Sequence, residues 1–218
     1  MNVLKKLTNI KAIIFDFDGV IVDSIEAKTN AFEQLYNRYG DDVKQKVKDY
    51  HLRNGGVSRF EKLKYYHKNF LGVDLNEHEL KDLASSFSKI VLEKVINASF
   101  VEGVSAYIQN KSKNLDLFIS TGTPQKEIEL ILKARNIDVF FKDVFGSPDK
   151  KIDHIKKILE MQDLQSNEII FFGDSLSDLE AAKYYDINFI LVKNRYNTFL
   201  QENHLGDSIE NFLELNRF

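Results

Sequence analysis

Between residues 12 and 192 the chain alternates short, mostly apolar runs with longer stretches whose apolar positions recur at helical spacing. The short runs are 12–15 (AIIF), 115–119 (LDLFI), 143–145, 168–172 (EIIFF) and 188–192 (NFILV), and they predict strands. Strands buried on both faces lose the polar–apolar alternation of half-exposed ones, so this pattern predicts an α/β fold: a parallel sheet with helices on both faces. From Ser24 to Asn97 only helical periodicity is found. That is far too long for a simple crossover, so an all-helical insertion after the first strand is expected. The resulting organisation is a core of residues 1–22 and 99–218 with a helical cap of residues 23–98.

The last helix of the insertion is the most clearly marked. Asn76 and Glu79 have capping-box spacing, after which Leu80, Leu83, Ala84, Phe87, Ile90, Val91 and Val95 keep to one face. The paired glycines of "RNGGVSR", residues 53–59, predict a loop between helices. The tail containing "DSIENFLEL" is expected to be a closing helix, packed on the core or shared in a dimer.

Composition narrows the function classes. The 30 basic and 33 acidic residues of the 218-residue chain leave a net charge of −3, without the positive footprint that duplex nucleic acid requires. No Cys is present, which removes thiolate chemistry, and no apolar run approaches the ~18 residues of a membrane span. A cytoplasmic protein, monomer or homodimer, with no nucleic-acid or membrane partner is expected.

The exception to the apolar pattern is "IIFDFDGVIVDS", residues 13–24, where Asp16 and Asp18 end the first strand. In an open parallel sheet ligands gather at the carboxyl ends of strands, and Ser120 and Asp174 end two of the other runs. Carboxylates crowded in this way are stabilised by a divalent cation. Hard oxygen donors, with no Cys and five His residues lacking ligand spacing, favour Mg2+.

These residues resemble the motifs of the haloacid dehalogenase-like (HAD) hydrolases, in the branch with a helical cap after the first strand. "DFDGVIVDS" resembles the first motif, "FISTG" the second with Ser120 in its Ser/Thr position, "GSPDKK" opens the third, and "FFGDSLSD" resembles the fourth. The resemblance implies a Rossmann-like core and a Mg2+-dependent phosphatase of a small phosphorylated metabolite. It also implies an aspartyl-phosphate on Asp16, with Asp18 as general acid and base. Ser120 and a lysine would hold the phosphoryl group, with Thr121 and Gly122 beside them, and Asp16, Asp18, Asp174 and Asp178 would serve the metal.

Several alternatives stay open. Thr121 and Thr123 compete with Ser120 as the hydroxyl, and Thr123 also stands where it could cap the next helix. Asp178 has N-cap spacing from Ser175, so it is also a structural candidate. The resemblance implies that the family's lysine opens this helix with its apolar face turned to the sheet, and Ile155, Ile158 and Leu159 fall at the offsets expected if that lysine is Lys151, which is therefore preferred to Lys150. Arg59, in "GVSR", resembles a position that contacts a distal phosphate in β-phosphoglucomutase-like relatives, which makes a phosphomutase the runner-up. Glu26, Lys28, Asn30, His51 and Arg53 could also reach the cleft, but the sequence does not separate them from surface residues.

Overall fold

The computed structural model describes residues 9–215, so the outermost residues of the expected core lie outside the described residues. Strand β1 (Ala12–Phe15) leads into helices α1 (Ile25–Tyr36), α2 (Asp41–Arg53), α3 (Arg59–Tyr66) and α4 (Glu77–Ile96). The chain then returns through α5 (Val104–Lys111), β2 (Asp116–Pro124), α6 (Gln125–Ala134), β3 (Asp143–Ser147), α7 (Lys151–Gln162), β4 (Ile169–Gly173), α8 (Leu176–Tyr184), β5 (Asn188–Val192), α9 (Thr198–Asn203) and β6 (Asp207–Ile209). The six strands form one sheet in the order β3-β2-β1-β4-β5-β6, and every pairing is parallel. Strand order reverses on either side of β1, which is where such a sheet opens a crevice.

All four residues of β1 are buried, and they alternate between two hydrophobic clusters. Ala12 and Ile14 join Phe118, Ile155, Ile158 and Phe171 on one face. Ile13 and Phe15 join Ile119, Phe172 and Phe212 on the other, and that cluster continues without a break into Phe32, Tyr36, Tyr66 and Phe87 of the helical segment. The helices inserted after β1 are therefore packed on the sheet's own core, which fixes them over the strand ends.

The local signals hold in the fold. Asn76 Oδ1 accepts from the Glu79 N–H at 3.0 Å and Glu79 Oε2 accepts from the Asn76 N–H at 2.9 Å, so the capping box starts α4 as its sequence predicts. The "NGGVS" stretch, residues 54–58, is the loop between α2 and α3. The tail differs from expectation: in place of a closing helix it forms β6 and a short 3-10 turn over Phe212–Glu214. Residues Asp207–Ile209 pair in parallel with β5, which takes them out of any helix, and Asn211 then caps the short turn by accepting from Leu213 N–H at 3.0 Å.

Candidate active site

The carboxyl ends of β1, β2 and β4 converge on a cavity of about 620 Å³. Its floor includes Asp16, Asp18, Thr121, Gly122 and Asp174, and its roof includes His51, Arg59, Lys62 and Phe87 from the helical segment. Asp16 is almost wholly buried, and its Oδ1 accepts from Phe17 N–H at 2.7 Å while Oδ2 lies 2.8 Å from Lys151 Nζ. Lys151 also pairs with Asp178, whereas Lys150 points to solvent and to Glu61 at 3.7 Å. Lys151 is thus the lysine brought to the site. As the first residue of α7, its ammonium would oppose the helix dipole, and the two carboxylates offset that opposition.

Asp178 is placed to do two jobs. Its Oδ2 accepts from Ser175 N–H at 3.0 Å and Ser175 Oγ at 2.6 Å, which starts α8, while Oδ1 faces Lys151. Asp174 is positioned by two residues of the loop after β5: Asn194 Nδ2 donates to Asp174 Oδ2 at 2.8 Å and Asn197 Nδ2 donates to the Asp174 carbonyl at 2.9 Å. Those asparagines are not anticipated from the sequence. The only available signal is their place beyond a strand end.

Oxygens of Asp16, Asp174 and Asp178 all lie within 4.8 Å of one another, and all three residues are buried. Burial raises the Asp16 carboxyl, the Lys151 ammonium pulls it back, and Asp178 and Asp18 raise it again, to about 7. Asp174 is likewise held well above the usual carboxylate range by burial and by Asp16 and Asp178. Burial works against the Lys151 ammonium, but the two aspartates outweigh it and keep its pKa raised. Three carboxylates balanced by one ammonium leave a net negative pocket, so the donor set fits a hard divalent cation. Gly19 keeps the pocket open: a Cβ there would lie 2.2 Å from Asp174 Oδ2, and its φ of +81° is one that a side chain would strain.

Asp18 turns away from that triad. Ser24 Oγ donates to it at 2.5 Å, Thr123 Oγ1 at 3.2 Å, and Lys28 pairs with it while also donating to Thr123 at 2.8 Å. Burial raises the Asp18 carboxyl, but Lys28 and the two hydroxyls overcome that and hold it below its ordinary value. Thr123, a candidate helix cap by its position in the sequence, is therefore committed to Asp18, and Lys28 is separated from the surface residues that it resembles in the sequence.

Ser120 is brought elsewhere. Its hydroxyl lies 2.9 Å from Nδ1 of buried His154, beneath the sheet end, and Ser120 does not line the cavity. Neighbouring side chains on a strand point to opposite faces, so Thr121 is the one that lines it. Gly122 is required for a different reason: a Cβ there would come within 2.4 Å of the Gly56 carbonyl oxygen. The paired glycines of "NGGVS" thus lie against the cavity, with the Gly55 carbonyl accepting from Ser177 Oγ at 3.1 Å.

Arg59 reaches the cavity with its charge already matched. Nη1 donates to Glu127 Oε2 at 2.8 Å and to Ser88 Oγ at 2.6 Å, Nη2 pairs with the other Glu127 oxygen, and the guanidinium lies 4.6 Å over the Phe87 ring. Glu127 opens α6 of the core, so this pair ties the helical segment to the core across the cavity's edge.

Comparisons with known proteins agree with this geometry. The chain is 30% identical over 187 residues to a phosphorylated carbohydrates phosphatase of Thermotoga maritima, covering 79% of this chain and 80% of that protein. It is 26% identical over 188 residues to a phosphoglycolate phosphatase of Pasteurella multocida, covering 81% and 82%. A β-phosphoglucomutase structure from Clostridium difficile shares the fold with a TM-score of 0.75 at 20% identity, covering 94% of this chain and 93% of that one. The haloacid dehalogenase-like hydrolase family model matches residues 13–192, which run from within β1 to the end of β5 and include every carboxylate of the cavity floor. The chain belongs to the haloacid dehalogenase-like hydrolase family, and it is an enzyme of the phosphatase kind.

Proposed function

We propose that the protein is a Mg2+-dependent phosphatase of a small phosphorylated metabolite, working through an aspartyl-phosphate on Asp16. The observation that supports this most directly is Asp16 itself: a buried carboxylate on the floor of the cavity, 2.8 Å from a lysine and inside a cluster of acids. An Asp16 oxygen attacks phosphorus as the bond to the leaving oxygen breaks, and water then attacks the acyl phosphate to release inorganic phosphate and restore the carboxylate. Lys151 neutralises the oxygens of the transferring group, while Thr121 and the Gly122 backbone provide short donors around it.

Asp18 serves the two proton transfers. Held ionised by Lys28, it rests as the base that the hydrolytic half needs. For the first half it takes up a proton, with Lys28 and Thr123 giving up part of their hold as the leaving oxygen arrives. Asp16, Asp174 and Asp178 would hold the magnesium, aided by the Asp18 backbone carbonyl. When bound, the ion supplies positive charge against the negative charge of the phosphoryl group.

Helices α1–α4 are read as a cap that chooses the substrate. The phosphomutase alternative depends on Arg59 meeting a distal phosphate, and a guanidinium already forked by Glu127 does not favour it.

The test is phosphate release from small phosphomonoesters with and without magnesium. Asp16→Asn is expected to abolish turnover, Thr121→Val to lower it by roughly a hundredfold, and Ser120→Ala to leave it within about threefold. Magnesium-independent release, or full activity in Asp16→Asn, overturns the mechanism.

A further inference from the structure

Four cations at the cavity are buried or half-buried, and three of them are paired with carboxylates, whereas Arg53, which also lines it, is exposed to solvent. Lys28 is matched by Asp18, Lys151 by Asp16 and Asp178, and Arg59 by Glu127. Lys62, on α3, is as deeply buried as any of them and lines the cavity, yet no carboxylate among the described residues lies within ion-pair distance of its Nζ. Its partners are neutral atoms of one residue: His51 Nδ1 at 2.9 Å and the His51 carbonyl at 3.5 Å.

A buried cation without an anion is costly: it gives up its proton or it is met by an opposite charge. His51 reinforces the point. Burial, followed by the Lys62 and Lys28 charges, holds its ring well below the usual imidazole pKa, so it is neutral. With Nδ1 accepting from the lysine, the ring proton sits on Nε2, which makes no hydrogen bond among the described residues. His51 also lines the cavity, so an N–H donor and an ammonium stand together in its roof.

We propose that Lys62 and His51 form a second anion subsite, so that the substrate is a phosphomonoester carrying a further compact oxyanion, either a carboxylate or a second phosphate. This rests on the phosphatase reading for its first phosphate alone. The phosphoryl group meets the floor at Asp16 and Lys151, while the second acid group rises to the roof and gives Lys62 its counter-ion. The remaining walls, among them Ile25, Phe32, Val57 and Phe87, are apolar and suit a short carbon framework between the two acids. Burial and the Lys28 charge push the Lys62 ammonium down to about 7, a shift that an arriving anion would reverse.

The experiment measures equilibrium binding to Asp16→Asn, which is expected not to turn ligands over, by calorimetry with matched pairs. Phosphoglycolate is set against ethyl phosphate, and glucose 1,6-bisphosphate against glucose 1-phosphate. The acid-bearing member of at least one pair is expected to bind about ten- to a hundredfold more tightly, the worth of a hydrogen bond to a charged group, and the pair showing it distinguishes carboxylate from phosphate. That preference should vanish in Asp16→Asn/Lys62→Met and in Asp16→Asn/Lys62→Gln, and return with Lys62→Arg. Equal binding within both pairs overturns the subsite, whatever the variants do, as does a preference that survives the loss of Lys62. Turnover of the native protein is scored separately: a Lys62-dependent preference with no phosphate release would leave the subsite standing and remove the phosphatase reading.

Discussion

Replacing Glu127 by Leu isolates one buried electrostatic contact between the helical segment and the core. The Arg59 and Glu127 side chains are 4% and 10% exposed, and Arg59 gives both of its terminal nitrogens to the carboxylate. Glu127→Leu leaves α6 its length and apolar volume but strands a buried guanidinium, with Ser88 Oγ as its one remaining hydrogen-bond partner. Removing one partner of a buried pair costs about 3–5 kcal/mol, far above the ~0–1 kcal/mol of a surface pair. At about 2–4 °C per kcal/mol for a chain of this size, the melting temperature should fall by roughly 6–20 °C. The assay is urea unfolding of the native protein, Glu127→Leu, Arg59→Met and the double variant. In the double variant the stranded charge is gone, so most of the loss should be recovered, giving a coupling energy of about 2 kcal/mol or more. A single-variant cost below about 1 kcal/mol, or strictly additive losses, would show that the pair behaves as a solvated one and refute the reasoning.

Two further outcomes follow from the site. His154 is buried beside Lys151, and burial together with that charge lowers its pKa from 6.5 to about 4. The folded protein therefore refuses a proton that the unfolded chain accepts: the stabilisation is complete above pH 6.5 and is lost as pH falls towards 4, by roughly 3 kcal/mol in all. His154→Gln should flatten the fall in urea midpoint across that window, and an unchanged slope would exclude His154 as its source. Asn194→Ala removes the amide that fixes Asp174 Oδ2, and magnesium affinity, followed by calorimetry, should drop about 10- to 100-fold, as it does when partners of metal ligands are removed. An unaltered affinity would detach Asn194 from the metal's support.

Much of the cavity floor is legible in the amino-acid sequence, because it is built from strand ends. A wholly apolar run predicts a buried parallel strand, and the first polar residue after it must then sit at the carboxyl edge, where Asp16 and Asp174 are found. The same local logic finds the helical insertion, the α4 capping box and the glycine loop. It stops at the choice between neighbours. Ser120 and Thr121 are equally polar and adjacent, and the pleat with the irregular pairing of β2 to β3 decides that one meets His154 and the other the cavity. The tail misleads because nothing along the chain shows that Asp207–Ile209 will add to the edge of the sheet beside β5.

What the sequence determined by itself is the order of strands and helices, the acids at the sheet's edge and the family they mark, since these depend on period and position along the chain. What only the tertiary structure decided is which charges meet. Arg59 finds Glu127 across 68 residues and Lys28 finds Thr123 across 95. Lys62 finds no carboxylate among the described residues. Electrostatic energy falls with distance in space and with exposure to water, and neither quantity is written in the spacing of residues along a chain.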